Sequence, residues 1–241
     1  MHLVAIGGSD AGFSATTDID VTGRLMLRDP DGSQSSLDYD ELHRIVDRLA
    51  GRFAGIFAAE TVDRYVFESY TALARTSRLR NFLVPRTERF ATDRLTALAT
   101  AKGAIARTVP EVLFICVQNS GRSQMAAALL KGRAGDRIHV RSAGSAPAEQ
   151  IDPTTVEVMA RRGIGLDEEF PKPLTDDVVQ AADVVVTMGC GDSCPLYAGK
   201  RYLDWSVTDP AGKSLEVTES IAVEIEARVD ALLDELIGDQ R

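Results

Sequence analysis

The second half of the chain alternates short apolar runs with amphipathic segments. Residues 112–115 form the first apolar run, and residues 124–131 then show the spacing of apolar side chains that is typical of a helix. The same alternation continues to the C-terminus, where strands are predicted over 138–142, 183–188 and 201–205 and helices over 153–162, 176–182 and 216–236. This order predicts an α/β fold, a four-stranded parallel sheet with helices on both faces.

Residues 39–107 show a different pattern, in which apolar side chains recur every three or four positions. Three such segments with short connections predict three amphipathic helices, which form a small all-α bundle in front of the sheet. Pro85 lies near the predicted start of the third helix. A group of arginines in and after the second helix indicates a solvated helix face more than a nucleic-acid or docking surface. They are Arg75, Arg78, Arg80, Arg86 and Arg89.

The first 38 residues fit neither pattern. Residues 3–12 read as a strand entering a glycine-rich turn, which is how a dinucleotide-binding fold begins. Ser9, however, stands where that fingerprint has its middle glycine, and no amphipathic helix follows. We therefore interpret residues 1–38 as a flexible or remnant segment rather than a flavin or nicotinamide site. The predicted domains are thus 1–38, 39–107 and 108–241.

The charge is unevenly distributed along the chain. The net charge of −9 argues against nucleic acid as the main partner. Residues 38–107 carry 12 Lys and Arg against 9 Asp and Glu, whereas residues 108–241 carry 13 against 22. This change supports a boundary near residue 108.

Cysteine usage and hydropathy indicate a reducing compartment. No apolar run reaches the length of a membrane span, and the apolar N-terminus is too short and uncharged for a secretory signal. We therefore expect a cytoplasmic protein with no membrane partner. Its three cysteines are Cys116, Cys190 and Cys194. An odd number favours reactive thiols or a metal site over structural disulfides.

The loop from Cys116 to Ser123 carries the clearest chemical signal. It joins the first strand of the predicted sheet to the next helix, so it lies at the carboxyl edge, where ligands bind in open α/β folds. Backbone N–H groups and the helix N-terminus attract anions there, and Arg122 offers paired donors for two oxygens. The same surroundings stabilise a thiolate. We predict Cys116 as the nucleophile and an oxyanion site formed by Gln118, Asn119, Ser120, Gly121, Arg122 and Ser123.

The second half of the chain contains three short motifs in this order: Cys116-x-x-Asn119-x-x-Arg122-Ser123, then Arg141-Ser142-Ala143-Gly144-Ser145, then Asp209-Pro210. Together they resemble the motifs of low-molecular-weight protein tyrosine phosphatases and of the arsenate reductases that share their fold. The resemblance covers about residues 108–241. It implies that Ser142 supports Asn119 and that Asp209 is the general acid. A carboxyl in that role also fits elementary chemistry, since a protonated acid makes the expelled oxygen a better leaving group.

The residues around these motifs favour a reductase. Phosphatases of the family usually follow Asp-Pro with aromatic residues, whereas Ala211 and Gly212 follow here. Cys190 and Cys194 come after the third predicted strand of the sheet, at the same edge as Cys116. This placement permits a relay in which Cys116 binds arsenate, Cys190 forms a disulfide with it as arsenite leaves, and Cys194 takes over that disulfide. The relay resembles that of thioredoxin-coupled arsenate reductases, which implies arsenate as substrate, thioredoxin as external reductant and no bound cofactor.

Several alternatives stay open. Mycothiol with mycoredoxin could complete the reaction on Cys116 alone, as in related enzymes. The chain could instead be a phosphatase that forms a cysteinyl-phosphate, or a sensor whose helical bundle binds a partner. Zinc is disfavoured because three cysteines lack a suitably spaced fourth ligand, so no metal is predicted. The oligomeric state and the role of the bundle are left open.

Overall fold

The computed structural model describes residues 16–19, 25–28, 36–76, 82–189 and 196–238. Two short strands come first, β1 (Thr16–Ile19) and β2 (Leu25–Arg28), and they pair antiparallel. These strands were not predicted, because each has only four residues, and residues 18–37 are otherwise rich in Asp, Gly and Ser. The strand and glycine turn predicted over residues 3–12 lie outside the described residues.

Three helices follow, as the sequence predicts. They are α1 (Ser36–Arg52), α2 (Ala59–Ala74) and α3 (Leu83–Ala101). Their apolar faces meet in one core, since the side chains at the predicted three- and four-residue spacing are the buried ones. Its fully buried members include Leu42, Val62, Val66, Phe67 and Leu95.

The predicted four-stranded parallel sheet is confirmed. Its strands are β3 (Glu111–Cys116), β4 (His139–Gly144), β5 (Val184–Met188) and β6 (Arg201–Asp204), in the order β4-β3-β5-β6. All neighbours pair in parallel. Cys116, the last residue of β3, pairs with Gly144 on one side and with Met188 on the other. The carboxyl ends of three strands therefore meet beside Cys116.

Helices cover both faces of the sheet. One face packs against α4 (Arg122–Ala134), α5 (Pro153–Arg161) and α7 (Leu215–Gly238). The other face packs against the short helix α6 (Asp176–Ala181) and against α3, whose Ala97 is buried with Leu113, Ile115 and Val185. The predicted boundaries differ from the observed ones by up to three residues. None of the helices in the described part of the chain has the length and apolar character needed to cross a membrane.

The helix α3 belongs to the bundle core and also covers the sheet, so the two halves share a large interface. Arg94 of α3 is buried there, with its Nε 3.3 Å from an Asp177 carboxylate oxygen of α6 and its Nη1 3.2 Å from the Ser69 hydroxyl oxygen of α2. Burial raises the pKa of Asp177 above its ordinary value, although the nearby charge of Arg94 opposes the rise. The division into domains at residues 38 and 107 stays a prediction.

Candidate active site

The loop between β3 and α4 turns its carbonyl groups toward residues 145–152. The carbonyls of Cys116, Val117, Gln118 and Ser120 accept hydrogen bonds of 2.9 to 3.2 Å from the backbone N–H groups of Ser145, Ala146, Ala148 and Asp152. In a planar trans peptide the N–H points opposite to the carbonyl. The N–H groups of the same peptides, at residues 117, 118, 119 and 121, therefore point away from residues 145–152. The loop thus has a face lined with N–H donors.

Cys116 lies at the base of this donor face. Its side chain is 2% exposed, and its Sγ is 3.0 Å from the Ser123 hydroxyl oxygen and accepts a hydrogen bond of 3.2 Å from the N–H of Asn119. Helix α4 begins six residues later, at Arg122, so its positive end also faces the loop. The N–H of Asn119, the Ser123 hydroxyl and the positive end of α4 therefore surround the site where an anion would bind above the sulfur.

Asn119 holds the loop in an uncommon conformation. Its φ is 48°, in the left-handed region that asparagine tolerates better than most residues. Its side-chain Nδ2 donates to the Ser123 hydroxyl at 2.7 Å. Its Oδ1 accepts from Gln124 Nε2 at 3.1 Å and from the backbone N–H of Lys172 at 2.8 Å. Neighbouring residues therefore hold both the nitrogen and the oxygen of the amide group, which keeps the backbone of Asn119 in this conformation.

The second motif contacts the loop through Gly144 and through the N–H of Ser145, described above, and not through a hydrogen bond from Ser142. Among the described residues, no hydrogen bond joins Ser142 to Asn119; Ser123, Gln124 and Lys172 hold that side chain instead. A Cβ atom at Gly144 would lie 2.7 Å from the Val117 carbonyl oxygen and 2.9 Å from the Asn119 nitrogen. Glycine at this position therefore lets the end of β4 lie directly against the loop.

Arg122 and Asp209 are brought together. Arg122 is 7% exposed, and its Nη2 lies 2.5 Å from a carboxylate oxygen of Asp209, whose side chain is 49% exposed. The other carboxylate oxygen accepts from the Ala211 N–H at 3.1 Å. The buried Nε of Arg122 has no hydrogen-bond partner in the described part of the chain. An oxyanion in the loop would satisfy this donor.

The remaining predicted loop residues differ in exposure. The Ser120 hydroxyl donates to the side-chain oxygen of Gln118, which is exposed, at 3.4 Å. Pro210 packs over Gly121, where an added Cβ would lie 2.5 Å from the proline ring. Gly121 therefore permits the close contact that places Asp209 beside the loop. Ala211 and Gly212, which follow, are exposed.

The structure describes the chain as far as Gly189, one residue before the second cysteine. Gly189 has a φ of 76°, and a Cβ there would lie 2.9 Å from Nη1 of Arg122. The chain therefore passes directly over the arginine one residue before Cys190. Cys190 and Cys194 lie outside the described residues, and their roles stay predictions.

Sequence reasoning missed four residues that hold this site. They are Gln124, Phe170, Lys172 and Val207, the last of which accepts a 3.4 Å hydrogen bond from Nη1 of Arg122 through its carbonyl oxygen. Only Gln124 carries a readable signal, because it is a polar side chain at the start of an otherwise apolar helical segment. The other three act through backbone atoms, which the sequence does not distinguish.

Comparisons with known proteins match both parts of the chain. The model of low molecular weight phosphotyrosine protein phosphatases matches residues 111–241, and that of the protein-tyrosine-phosphatase-like N-terminal domain matches residues 42–99. A putative arsenate reductase of Halobacterium salinarum is 34% identical over 131 residues, covering 52% of this chain and 92% of that protein. Arsenate reductase 1 of Bacillus cereus is 34% identical over 122 residues, covering 49% and 90% respectively.

A solved structure resembles both parts together. The thioredoxin-dependent arsenate reductase of Corynebacterium glutamicum is 49% identical with a TM-score of 0.76, covering 82% of this chain and 96% of that one. The match therefore extends beyond the α/β part into the helices before it. The chain belongs to the low molecular weight phosphotyrosine protein phosphatase family, on the branch of its arsenate reductase relatives.

Proposed function

We propose that this protein is an arsenate reductase in which Cys116 is the nucleophile. The observation that carries the proposal is the donor face of the loop, with Sγ of Cys116 at its base and, beside it, the Nε of Arg122, which has no hydrogen-bond partner among the described residues. A tetrahedral oxyanion fits that arrangement of donors. The similarity to a thioredoxin-dependent arsenate reductase over 82% of the chain supports arsenate as that oxyanion.

In the first step Cys116 attacks the arsenic atom. Its thiolate forms an S–As bond, and one arsenate oxygen leaves as water. Before arsenate binds, Asp209 is a carboxylate paired with Arg122, with 2.5 Å between Nη2 and the carboxylate oxygen. When arginine exchanges that contact for an arsenate oxygen, the released carboxylate takes up the proton of the Cys116 thiol and gives it to the leaving oxygen. Arsenic remains in the +5 state, and no electrons have yet moved from the protein.

In the second step Cys190 attacks Sγ of Cys116. A Cys116–Cys190 disulfide forms, the S–As bond breaks, and its electron pair stays on arsenic, which leaves as arsenite. Cys194 then attacks Cys190, which frees Cys116 and leaves a Cys190–Cys194 disulfide. Two observations support this step. Cys116 pairs with Met188, which lies two residues before Cys190, and the residue between Met188 and Cys190 is Gly189.

The surroundings of Asp209 support arsenate over a phosphotyrosine side chain. Pro210 is buried against the loop, and the next two residues, Ala211 and Gly212, are small and exposed. Neither can form an aromatic wall beside a bound phenyl ring. A small oxyanion needs no such wall, because the loop, Arg122 and Asp209 offer it polar contacts.

Thioredoxin is the reductant that we propose for the Cys190–Cys194 disulfide. Exchange with a dithiol protein returns all three cysteines to the thiol form and transfers the two electrons that arsenate consumed. Such a relay functions in a reducing compartment, and we propose the cytoplasm. The enzyme then needs no bound cofactor.

Replacing Cys194 with serine tests the relay. The Cys194→Ser variant is expected to form one arsenite per chain at the normal rate and then stop, because the Cys116–Cys190 disulfide cannot move outward. Quenched-flow measurement of arsenite, with counting of free thiols by alkylation and mass spectrometry, follows that single turnover. Cys190→Ser is the matched control, and it is expected to release no arsenite.

Two other outcomes would contradict the relay. Sustained turnover of Cys194→Ser with thioredoxin would show that Cys194 takes no part. Turnover of the Cys190→Ser, Cys194→Ser double variant with mycothiol and mycoredoxin would assign the second step to a small thiol instead.

Replacing Asp209 with asparagine tests the proton donor. Asparagine preserves the shape of the side chain but cannot release a proton, so the first turnover is expected to slow by about 10²-fold near neutral pH. Single-turnover kinetics at saturating arsenate measures the effect. Arsenate affinity is expected to stay unchanged or to rise, since a carboxylate no longer competes for Arg122. An unaltered first turnover would exclude Asp209 as the acid.

A further inference from the structure

Phe170 connects the helical bundle to the oxyanion loop. It lies in the connection between α5 and α6, outside the bundle in sequence, yet its ring is 2% exposed and belongs to the bundle core. Arg86 and Arg89 of α3 lie over that ring, with their guanidinium carbons 5.5 and 5.6 Å from its centre. Arg89 also donates to the carbonyl of Glu168. The position of Phe170 is therefore set mainly by the bundle.

The backbone of Phe170 contacts the other half of the protein. Its carbonyl oxygen accepts from Nε2 of Gln124 at 3.1 Å and from Nζ of Lys172 at 3.3 Å. Gln124 is 1% exposed, at the start of α4. The same Nε2 lies 3.1 Å from both the backbone oxygen and Oδ1 of Asn119. One buried amide thus joins Phe170 to the strained residue of the loop.

Lys172 provides a second connection to the same residue. Its N–H donates to Oδ1 of Asn119 at 2.8 Å, and its carbonyl accepts from the N–H of Gly144 at 2.8 Å. Its Nζ lies 2.8 Å from a carboxylate oxygen of Glu169 and 4.8 Å from the centre of the Phe170 ring. Burial alone would raise the pKa of Glu169, but the charges of Lys172, Lys131 and Arg89 hold it below its ordinary value. Glu169 therefore remains ionised and keeps Lys172 in place.

We propose that the bundle positions the oxyanion loop through Phe170, with Gln124 and Lys172 as the connecting residues. The N–H of Asn119 points at Sγ of Cys116 only while its side-chain amide is held, because its φ of 48° is unfavourable for a free residue. Without the Phe170 ring, the backbone carbonyl of residue 170 is free to move away from Gln124. The N–H groups of the oxyanion loop then lose the alignment that makes them donors to a bound anion. This inference rests on the proposed use of the loop for oxyanion binding, and it gives the bundle a role in that binding.

The test compares two ring deletions in the bundle core. Phe170→Ala removes the connecting ring, and Phe53→Ala removes a ring that lies at the end of α1 and packs against Phe57. Inorganic phosphate is the probe, and its affinity is measured in the full, reduced chain from the protection of Cys116 against alkylation. We expect both variants to lower Tm, but only Phe170→Ala to weaken phosphate binding, by about tenfold. Equal losses of affinity, or no loss in either variant, would overturn the proposal.

A double-mutant cycle keeps the proposal testable if Phe170→Ala does not fold. Phe170→Leu and Gln124→Met are milder changes, and each is expected to weaken phosphate binding severalfold. Because both substitutions act through the same contact, the double variant is expected to bind phosphate scarcely less tightly than the more affected single variant. Fully additive losses would show that the two residues act independently and would contradict the connection. Phosphate is bound but not reduced, so arsenate turnover of the unaltered protein tests the proposed function separately.

Discussion

The Cys116→Ser variant is expected to form no arsenite above background, a loss of at least about 10⁴-fold. Serine fits the site, because its oxygen can accept the hydrogen bonds that Asn119 and Ser123 direct at the sulfur. Its hydroxyl, however, is not ionised near neutral pH, and an oxygen cannot form the disulfide that transfers two electrons to arsenic. Arsenite formation in a single turnover, with thioredoxin present in excess, is the measurement.

The same variant supplies its own control. The loop, Arg122 and Asp209 are unchanged in Cys116→Ser, so we expect an unaltered Tm and retained binding of phosphate, measured by calorimetry. Ser123→Ala is the companion variant, which keeps the sulfur but removes its hydroxyl neighbour, and it should retain measurable turnover. Arsenite formation by Cys116→Ser at a rate near that of the unaltered protein would mean that another thiol attacks arsenate.

Replacing Arg122 with lysine is expected to lower arsenate reduction by about 10³-fold, although the positive charge is kept. Lysine offers one ammonium group where arginine offers a planar pair of donors and an Nε that has no partner in the described part of the chain. The side chain is also closely enclosed, since Gly189 leaves no room for a Cβ above it and Asp209 lies 2.5 Å from its Nη2. Lysine would therefore make fewer hydrogen bonds to the charge that develops in the transition state and would stabilise that state less.

A second arginine of the same helix gives the matched control. Arg133 of α4 makes ion pairs with Glu226 and with Asp230 of α7, away from the loop. Arg133→Lys is therefore expected to keep its turnover, with at most a small change in Tm. The kcat and KM of both variants for arsenate are compared at one ionic strength. If Arg122→Lys stays within about tenfold of the unaltered rate, charge alone supports the reaction and the paired donors are unnecessary.

The sequence predicted the two central strands of the sheet from unbroken apolar runs, at residues 112–115 and 184–186, and such runs are typical of strands buried on both faces. Every residue of β3 is buried in the structure, as the run at residues 112–115 indicated. Cys116 and Arg122 were predicted because their loop follows a strand of a parallel sheet, whereas the family resemblance implied Asp209 as the general acid at the same site. The contact between Arg122 and Asp209 agrees with this expectation.

The supporting contacts could not be predicted, since they depend on backbone geometry. Nothing in the letters of residues 117–122 shows that Asn119 adopts a positive φ or that its amide is held by the backbone of Lys172. Phe170 is a single aromatic residue in a connection, and its burial in a distant core follows only from the three-dimensional packing. The family resemblance implied that Ser142 supports Asn119, but no hydrogen bond joins the two among the described residues, and the motif contacts the loop through Gly144 and the N–H of Ser145.

The burial of Ala97 between the bundle and the sheet has a consequence for how the chain folds. Removing α3 would expose the apolar side chains of β3 and β5 that it covers, and an uncovered face of that kind promotes association in water. The helices and the sheet are therefore expected to melt in one cooperative transition.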